Sequence, residues 1–166
     1  MGCDRKDVTP GAPTTPFLGG TGGLEISFLE GSPPEEVTDG DTFDFQAIVK
    51  LKNNGEHKFA DPVGAPPAVG DIKVSLIGFS PRDFRSVTGD FADSDLINKN
   101  PADNPTPKQR DSEGNIIEPT ETFIEFPKTG KNFKFKGSLA GNTVFIFRAD
   151  ACYKYQTKGV SEICVL

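Results

Sequence analysis

The sequence of 166 residues contains no tryptophan, one methionine, one histidine and three cysteines. A single histidine excludes most hydrolytic and metal-dependent mechanisms, which need a positioned imidazole base or several imidazole ligands. No run of apolar residues approaches the roughly 18 that a membrane-spanning helix requires. Basic residues number 18 against 24 acidic ones, a formal net charge of −6, which disfavours binding to a nucleic-acid backbone. We therefore expect no catalysis, no membrane span, no nucleic-acid partner and no obligatory cofactor.

Glycine, proline and phenylalanine are abundant instead, with 18, 14 and 14 residues respectively. This content of glycine and proline is incompatible with a helical bundle and is typical of short strands joined by turns. Residues 1–23 are rich in both and lack the apolar core of a secretory signal. We expect this segment to be a flexible arm, and residues 24–166 to form one folded domain.

Cys3 lies at the start of the arm, directly after Met1 and Gly2. A cysteine followed by a tether of Thr, Pro and Gly is typical of a lipoprotein, which makes Cys3 a candidate lipid anchor. The alternative is a cloning remnant with an incidental cysteine. Because the last predicted strand reaches the final residue, we also expect the chain to be a fragment or a processed form.

Alternation of apolar and polar residues predicts about eight β-strands. The clearest is 42–52, and the others are expected near 24–28, 57–60, 72–76, 123–126, 133–139, 143–156 and 160–166. With no convincing amphipathic helix, the pattern favours an all-β fold, an antiparallel Ig-like β-sandwich. Its predicted core consists of Phe28, Phe43, Phe45, Val49, Leu51, Val74, Leu76, Phe133, Phe135, Phe145 and Phe147.

The first predicted strand follows the flexible arm directly. Leu24, Ile26 and Phe28 alternate with polar residues, as a donated strand would when it completes the sheet of a neighbouring copy. The partner would then be another copy of this protein, and the assembly a filament. The alternative is that this strand pairs within its own domain.

One long acidic loop covers about residues 86–120. Asp90, Asp93 and Asp95 are calcium candidates because carboxylate oxygens suit this ion, although their spacing is not that of an EF-hand. Two further acidic sets share this chemistry: Asp39, Asp41 and Asp44, and Asp111, Glu113 and Asn115. The alternative is that these acids are solvated turn formers. Loops of this length are often functional, so the loop is also a candidate ligand-binding surface.

Cys152 and Cys164 flank a predicted hairpin. A three-residue loop at 157–159 places Cys152 opposite Cys164 and Lys154 opposite Glu162, and directly opposed residues lie within disulfide reach. This pairing predicts a disulfide and an oxidising, extracellular location. Two free thiols are the alternative.

Two tyrosines and the histidine are the remaining candidates for recognition. Tyr153 and Tyr155 share a face with Phe145 and Phe147, so they form either part of the core or an exposed recognition stripe. His57 follows a turn at 53–55, and its default position is an exposed strand end. No serine has the surroundings of a catalytic nucleophile.

Several motifs in the first third of the chain resemble Ig-like surface domains related to the CARDB group, common in archaea. The matching motifs are Pro33-Pro34, the turn and strand start at 40–43, and the turn at 53–55; the segment 152–157 with Cys164 is similar to the end of such proteins. The resemblance implies a cell-surface adhesive or structural module and no catalytic residues. A module that binds a glycan or a protein through the 86–120 loop, with or without calcium, is the alternative function.

Overall fold

The computed structural model describes residues 18–19, 21–40, 43–60, 71–86, 89–128, 130–157, 159, 161 and 163. Within these ranges the chain is all-β, as predicted, and its sheets are antiparallel. The strands are β1 (Leu24–Phe28), β2 (Asp44–Phe45), β3 (Ala47–Asn53), β4 (Ile72–Ile77), β5 (Phe84–Arg85), β6 (Gln109–Arg110), β7 (Ile116–Ile117), β8 (Glu121–Phe126), β9 (Phe133–Phe135) and β10 (Arg148–Tyr153). A 3-10 turn covers Pro81–Asp83, and a one-turn helix, α1, covers Asp93–Leu96.

The strands form four small sheets, with the orders β1-β3-β8, β10-β4, β2-β9-β5 and β6-β7. The central strand β3 has the strict alternation that the sequence predicts. Ala47, Val49 and Leu51 are fully buried, and the residues between them are half-buried. The alternation exists because successive side chains of a strand point to opposite faces, and one face of β3 covers the core.

The strand predicted at 42–52 is interrupted at Gln46, so its prediction as one continuous strand is wrong. β2 pairs with β9, whereas β3 pairs with β8, and the connection 127–132 separates the two partners. Ser32 repairs the interruption: its hydroxyl donates to the Gln46 carbonyl at 2.8 Å and accepts from the Ile48 N–H at 2.9 Å. A side chain thus replaces the backbone partner that a buried strand needs at this point.

The core is rich in phenylalanine, as predicted. Of the expected core residues, Phe45, Val49, Leu51, Val74, Leu76, Phe133 and Phe135 are buried, and Phe28, Phe145 and Phe147 are partly buried against them. Phe43 is an error, because 46% of its surface is exposed. The sequence analysis missed other buried positions, among them Phe59, Ile72, Phe84, Ile124 and Phe126.

The strand predicted at 143–156 is shorter in the structure. β10 pairs with β4 from Arg148 to Tyr153, and the pairing stops where β4 reaches Gly78. Gly78 has φ +93°, and a Cβ atom there would lie 2.6 Å from the Ile146 carbonyl oxygen. This position therefore requires glycine, and the ladder ends there. Beyond it, Val144 and Ile146 are 86% and 70% exposed. Most of the predicted final strand, 160–166, lies outside the described residues.

The segment 86–120 is not the single irregular loop that the sequence predicts. It contains α1 and the small hairpin β6-β7, and Lys99 forms an isolated bridge with Val74 of β4. Leu96 is buried in the core and anchors α1. The segment is thus attached to the body of the domain at several points.

Candidate functional site

The calcium candidates do not converge. Asp90 accepts a hydrogen bond from Lys136 at 2.9 Å, and Asp95 accepts one from Lys131 at 2.7 Å. Asp93 lies in the first turn of α1 and is exposed. Across the described residues, no three His, Cys, Asp or Glu side chains are grouped so that they could hold a metal ion. Two of the three candidates thus pair with lysines.

Asp95 is the most buried of these acids. Burial raises its pKa, but hydrogen bonds from Lys131 and from the Ala92 N–H, together with the lysine charges, outweigh it, so that the pKa lies below its ordinary value. Asp95 therefore stays ionised and ties α1 to the connection between β8 and β9. This is a structural role.

The other two acidic sets have local roles as well. Asp111 caps its own turn: its carboxylate accepts the N–H groups of Glu113 at 2.9 Å and of Asn115 at 2.8 Å. The side-chain hydrogen bond from Asn115, and then those backbone bonds, hold the pKa of Asp111 below its ordinary value. Asp39 accepts from the Leu139 N–H at 2.8 Å, and Asp44 accepts from Asn132. Asp41 lies outside the described residues.

The predicted donor strand, β1, pairs within its own chain. Its register against β3 places Leu24 opposite Asn53, Ile26 opposite Leu51 and Phe28 opposite Val49. This pairing accounts for the alternation of the three apolar residues without a second copy. Donation of β1 to a neighbour stays a prediction.

Two of the predicted cysteine positions lie outside the described residues, namely Cys3 and Cys164. Cys152 lies in β10 opposite Lys73 and is an exposed free cysteine. The structure therefore gives no support to the predicted disulfide, and the lipid anchor at Cys3 stays a prediction.

Four aromatic rings meet where β10 ends. Phe59 is fully buried, and three rings pack on it: His57 at a centroid distance of 5.6 Å, Tyr153 at 5.9 Å and Tyr155 at 6.2 Å. Most of these contacts are edge-to-face, the geometry that the ring quadrupoles favour. Both tyrosines remain 37% exposed, so they combine the two roles that the sequence left open.

The turn after β3 places His57 in this cluster. Asn53 is buried, and its side chain donates to the His57 carbonyl at 2.7 Å and accepts from the Gly55 N–H at 3.2 Å. An asparagine that bonds its own following backbone stabilises a tight turn. The turn brings His57 to 5.3 Å from Tyr155, measured between ring centroids.

Gly55 lets Tyr155 approach the turn closely. A Cβ atom at Gly55 would lie 1.7 Å from the Tyr155 hydroxyl oxygen and 2.8 Å from the Gly22 carbonyl oxygen. The Tyr155 hydroxyl donates to that same carbonyl at 3.0 Å. Tyr155 is thus held against the backbone by a hydrogen bond, with part of its ring open to solvent.

These rings border an open cleft of about 1090 Å³. We call it the aromatic cleft; its walls are residues 21–24, 54–58 and 107–110, with Tyr153 and Tyr155 and the residues that follow them. The wall 107–110 belongs to the predicted loop and is fixed by a hydrogen bond from the Lys108 N–H to the Gly55 carbonyl at 2.9 Å. Thr106 and Thr120 close the base of the β6-β7 hairpin through reciprocal hydrogen bonds of 2.9 and 3.1 Å.

No family model, no curated protein and no solved structure matches this chain. The resemblance to CARDB-related surface domains therefore stays a prediction. In the described part of the chain, no helix is long and apolar enough to cross a membrane. The aromatic cleft is defined by its own geometry alone.

The sequence contained part of the signal for this cleft. The turn at 53–55, the histidine two residues later and the paired tyrosines were each recognised as separate features. Their meeting on Phe59 was missed, because 59 and 153 are distant in sequence and no local pattern joins them. The contribution of 107–110 to the wall was missed for the same reason.

Proposed function

We propose that this protein is a non-enzymatic binding module that holds an oligosaccharide in the aromatic cleft. The observation that carries the proposal is the pair Tyr153 and Tyr155, part-exposed and fixed on buried Phe59 beside polar side chains. It develops the second of the two functions expected from the sequence, with residues 107–110 of the predicted loop as one wall.

A sugar ring presents C–H groups on its faces and hydroxyl groups around its edge. An aromatic ring covers the C–H face, and nearby polar groups bind the hydroxyls, which is the mixture that ligand pockets commonly offer. Asn54, Gln109 and Gln156 supply amide groups around the cleft. Both tyrosines are held by neighbouring rings, so little conformational freedom is lost when a ligand binds.

The carboxylates support binding rather than hydrolysis. Glycoside hydrolysis uses two carboxyl groups on opposite sides of the scissile bond. Of the described residues that line the cleft, Glu56 is the one carboxylate, and it accepts a hydrogen bond from the Gly19 N–H at 2.8 Å. We assign the cleft no catalytic role for this reason.

A position at the cell surface is part of the same proposal. It rests on the composition of residues 1–23, a tether that would hold a binding domain away from its attachment point. Extended glycans are ligands that such a tethered domain would meet.

Binding of oligosaccharides is tested by isothermal titration with a panel of neutral and acidic oligosaccharides. We expect Tyr153→Ala and Tyr155→Ala each to weaken binding by about tenfold, since each change removes one aromatic contact worth about 1.4 kcal/mol. Phe123→Ala is the matched control: Phe123 is an exposed aromatic residue of β8 that does not line the cleft.

The control should bind as the unchanged protein does. Circular dichroism and thermal unfolding establish that each variant is folded. The proposal fails if no oligosaccharide in the panel binds, or if folded tyrosine variants bind as tightly as the Phe123→Ala control.

A further inference from the structure

The aromatic cleft has a local charge opposite to that of the whole molecule. The chain carries −6, yet the residues that line the cleft include Lys58, Lys108 and Arg110 against the single carboxylate Glu56. Three positive charges and one negative charge give the lining +2. Acidic residues outnumber basic ones over the chain, so this reversal distinguishes the cleft from the rest of the molecule.

Two of the cations lie on one side of one strand. Lys108 directly precedes β6 and Arg110 ends it, and residues two apart in a strand project to the same side. The hydrogen bond from the Lys108 N–H to Gly55 fixes this wall against the turn that carries His57. The two cations therefore lie in the wall that continues from the aromatic cluster.

Arg110 is oriented before any ligand arrives. One of its terminal nitrogens, Nη1, donates to the Gly114 carbonyl at 2.9 Å within its own hairpin. A guanidinium group has five N–H donors in a planar fork, so most of them remain for a second partner. A planar carboxylate is the group that this fork binds through two parallel hydrogen bonds.

The acids nearest to these cations have partners of their own. Glu56 accepts from Gly19, and Glu25 accepts from Asn54. Glu118 lies 3.6 Å from the Lys108 ammonium, with both side chains substantially exposed. Such exposed pairs contribute little energy, so a ligand carboxylate can replace Glu118 at low cost.

We infer that the aromatic cleft selects oligosaccharides that carry carboxylate groups, such as chains of uronic acids. This inference rests on the proposed function: the tyrosines receive the sugar face, and Arg110 with Lys108 receives the carboxylate. A single-stranded nucleic acid would also combine ring stacking with negative charge. Three cations in a chain of −6 are too few for a ligand with one charge per nucleotide, which favours the sparser charge of a uronic acid chain.

The test compares tetragalacturonate with its methyl ester, which has the same sugar rings and no charge. We expect the free acid to bind at least tenfold more tightly than the ester in isothermal titration. The preference should shrink when the salt concentration rises from about 50 to about 300 mM, because salt screens exposed charges. Arg110→Gln and Lys108→Gln should each reduce the preference by at least threefold and leave binding of the ester unchanged.

Arg82→Gln is the matched control. It removes the same charge from an exposed residue that does not line the cleft, and it should leave the preference intact. Equal binding of acid and ester, with loss of both in Tyr155→Ala, would overturn this inference and leave the proposed function standing. Failure of both ligands, with failure of the wider panel, would remove both. Tighter binding of an oligonucleotide of equal length would also overturn it.

Discussion

At the scale of single residues, a glycine with ordinary backbone angles is the most restrictive position in the aromatic cleft. Gly55 is buried beneath the Tyr155 hydroxyl, and it is needed for close approach and not for a left-handed conformation. Gly55→Ala forces Tyr155 or the turn to move, and overpacking of this kind costs about 1–3 kcal/mol. We expect chemical denaturation to show this loss, together with weaker binding of the oligosaccharide.

Gly141→Ala is the control for this change. An added Cβ atom at Gly141 meets no atom within 4 Å, so the stability should change by less than about 0.5 kcal/mol. Equal stability of the two variants would show that Tyr155 is not held against Gly55.

At the scale of elements, the interruption between β2 and β3 depends on one hydroxyl group. Ser32 is the side-chain partner of the Gln46 carbonyl and the Ile48 N–H, both of which lie in the middle of the domain. Ser32→Ala leaves these two groups without that partner, at a cost of about 1–3 kcal/mol. Hydrogen exchange should become faster at Ile48, whereas exchange at residues 72–77 of β4 should change less.

The exposed residue Ser138 provides the comparison for Ser32. Ser138→Ala should leave both the free energy of unfolding and the exchange at Ile48 unchanged. An unchanged exchange rate in Ser32→Ala would show that the strand break is held by other contacts.

At the scale of the whole molecule, the buried pair Asp95 and Lys131 makes stability depend on acid. The pKa of Asp95 is lower in the folded state than its ordinary value near 3.9, so the unfolded chain binds the proton more readily. The stabilisation is therefore complete above about pH 4 and is lost as the pH falls through the folded pKa. Asp95→Asn should be less stable at pH 7 by about 1–3 kcal/mol, since it removes hydrogen bonds to a charged group.

Urea denaturation at pH 7 and at about pH 2 measures this dependence. The difference in stability between the unchanged protein and Asp95→Asn should narrow at the lower pH. A constant difference would contradict the assigned role of Asp95.

Sequence by itself determined the fold class and most of the core, because both depend on local physics. Strict alternation of apolar and polar residues is legible only as a strand, and Phe45, Val49 and Leu51 are buried as their period requires. Asn53 is followed by a glycine two residues later, and this local signal marked the turn. Phe43 is the exception, since it precedes a two-residue strand at the edge of its sheet.

Only the tertiary structure decided which distant residues meet. The break at Gln46 follows from a change of pairing partner between β8 and β9, about 80 residues away. Asp90 and Asp95, close in sequence, bind different lysines, whereas Phe59 and Tyr153 form one cluster. A local pattern states which face of a strand is apolar, but the strands that cover it are chosen by long-range packing, whose cost and gain no short window contains.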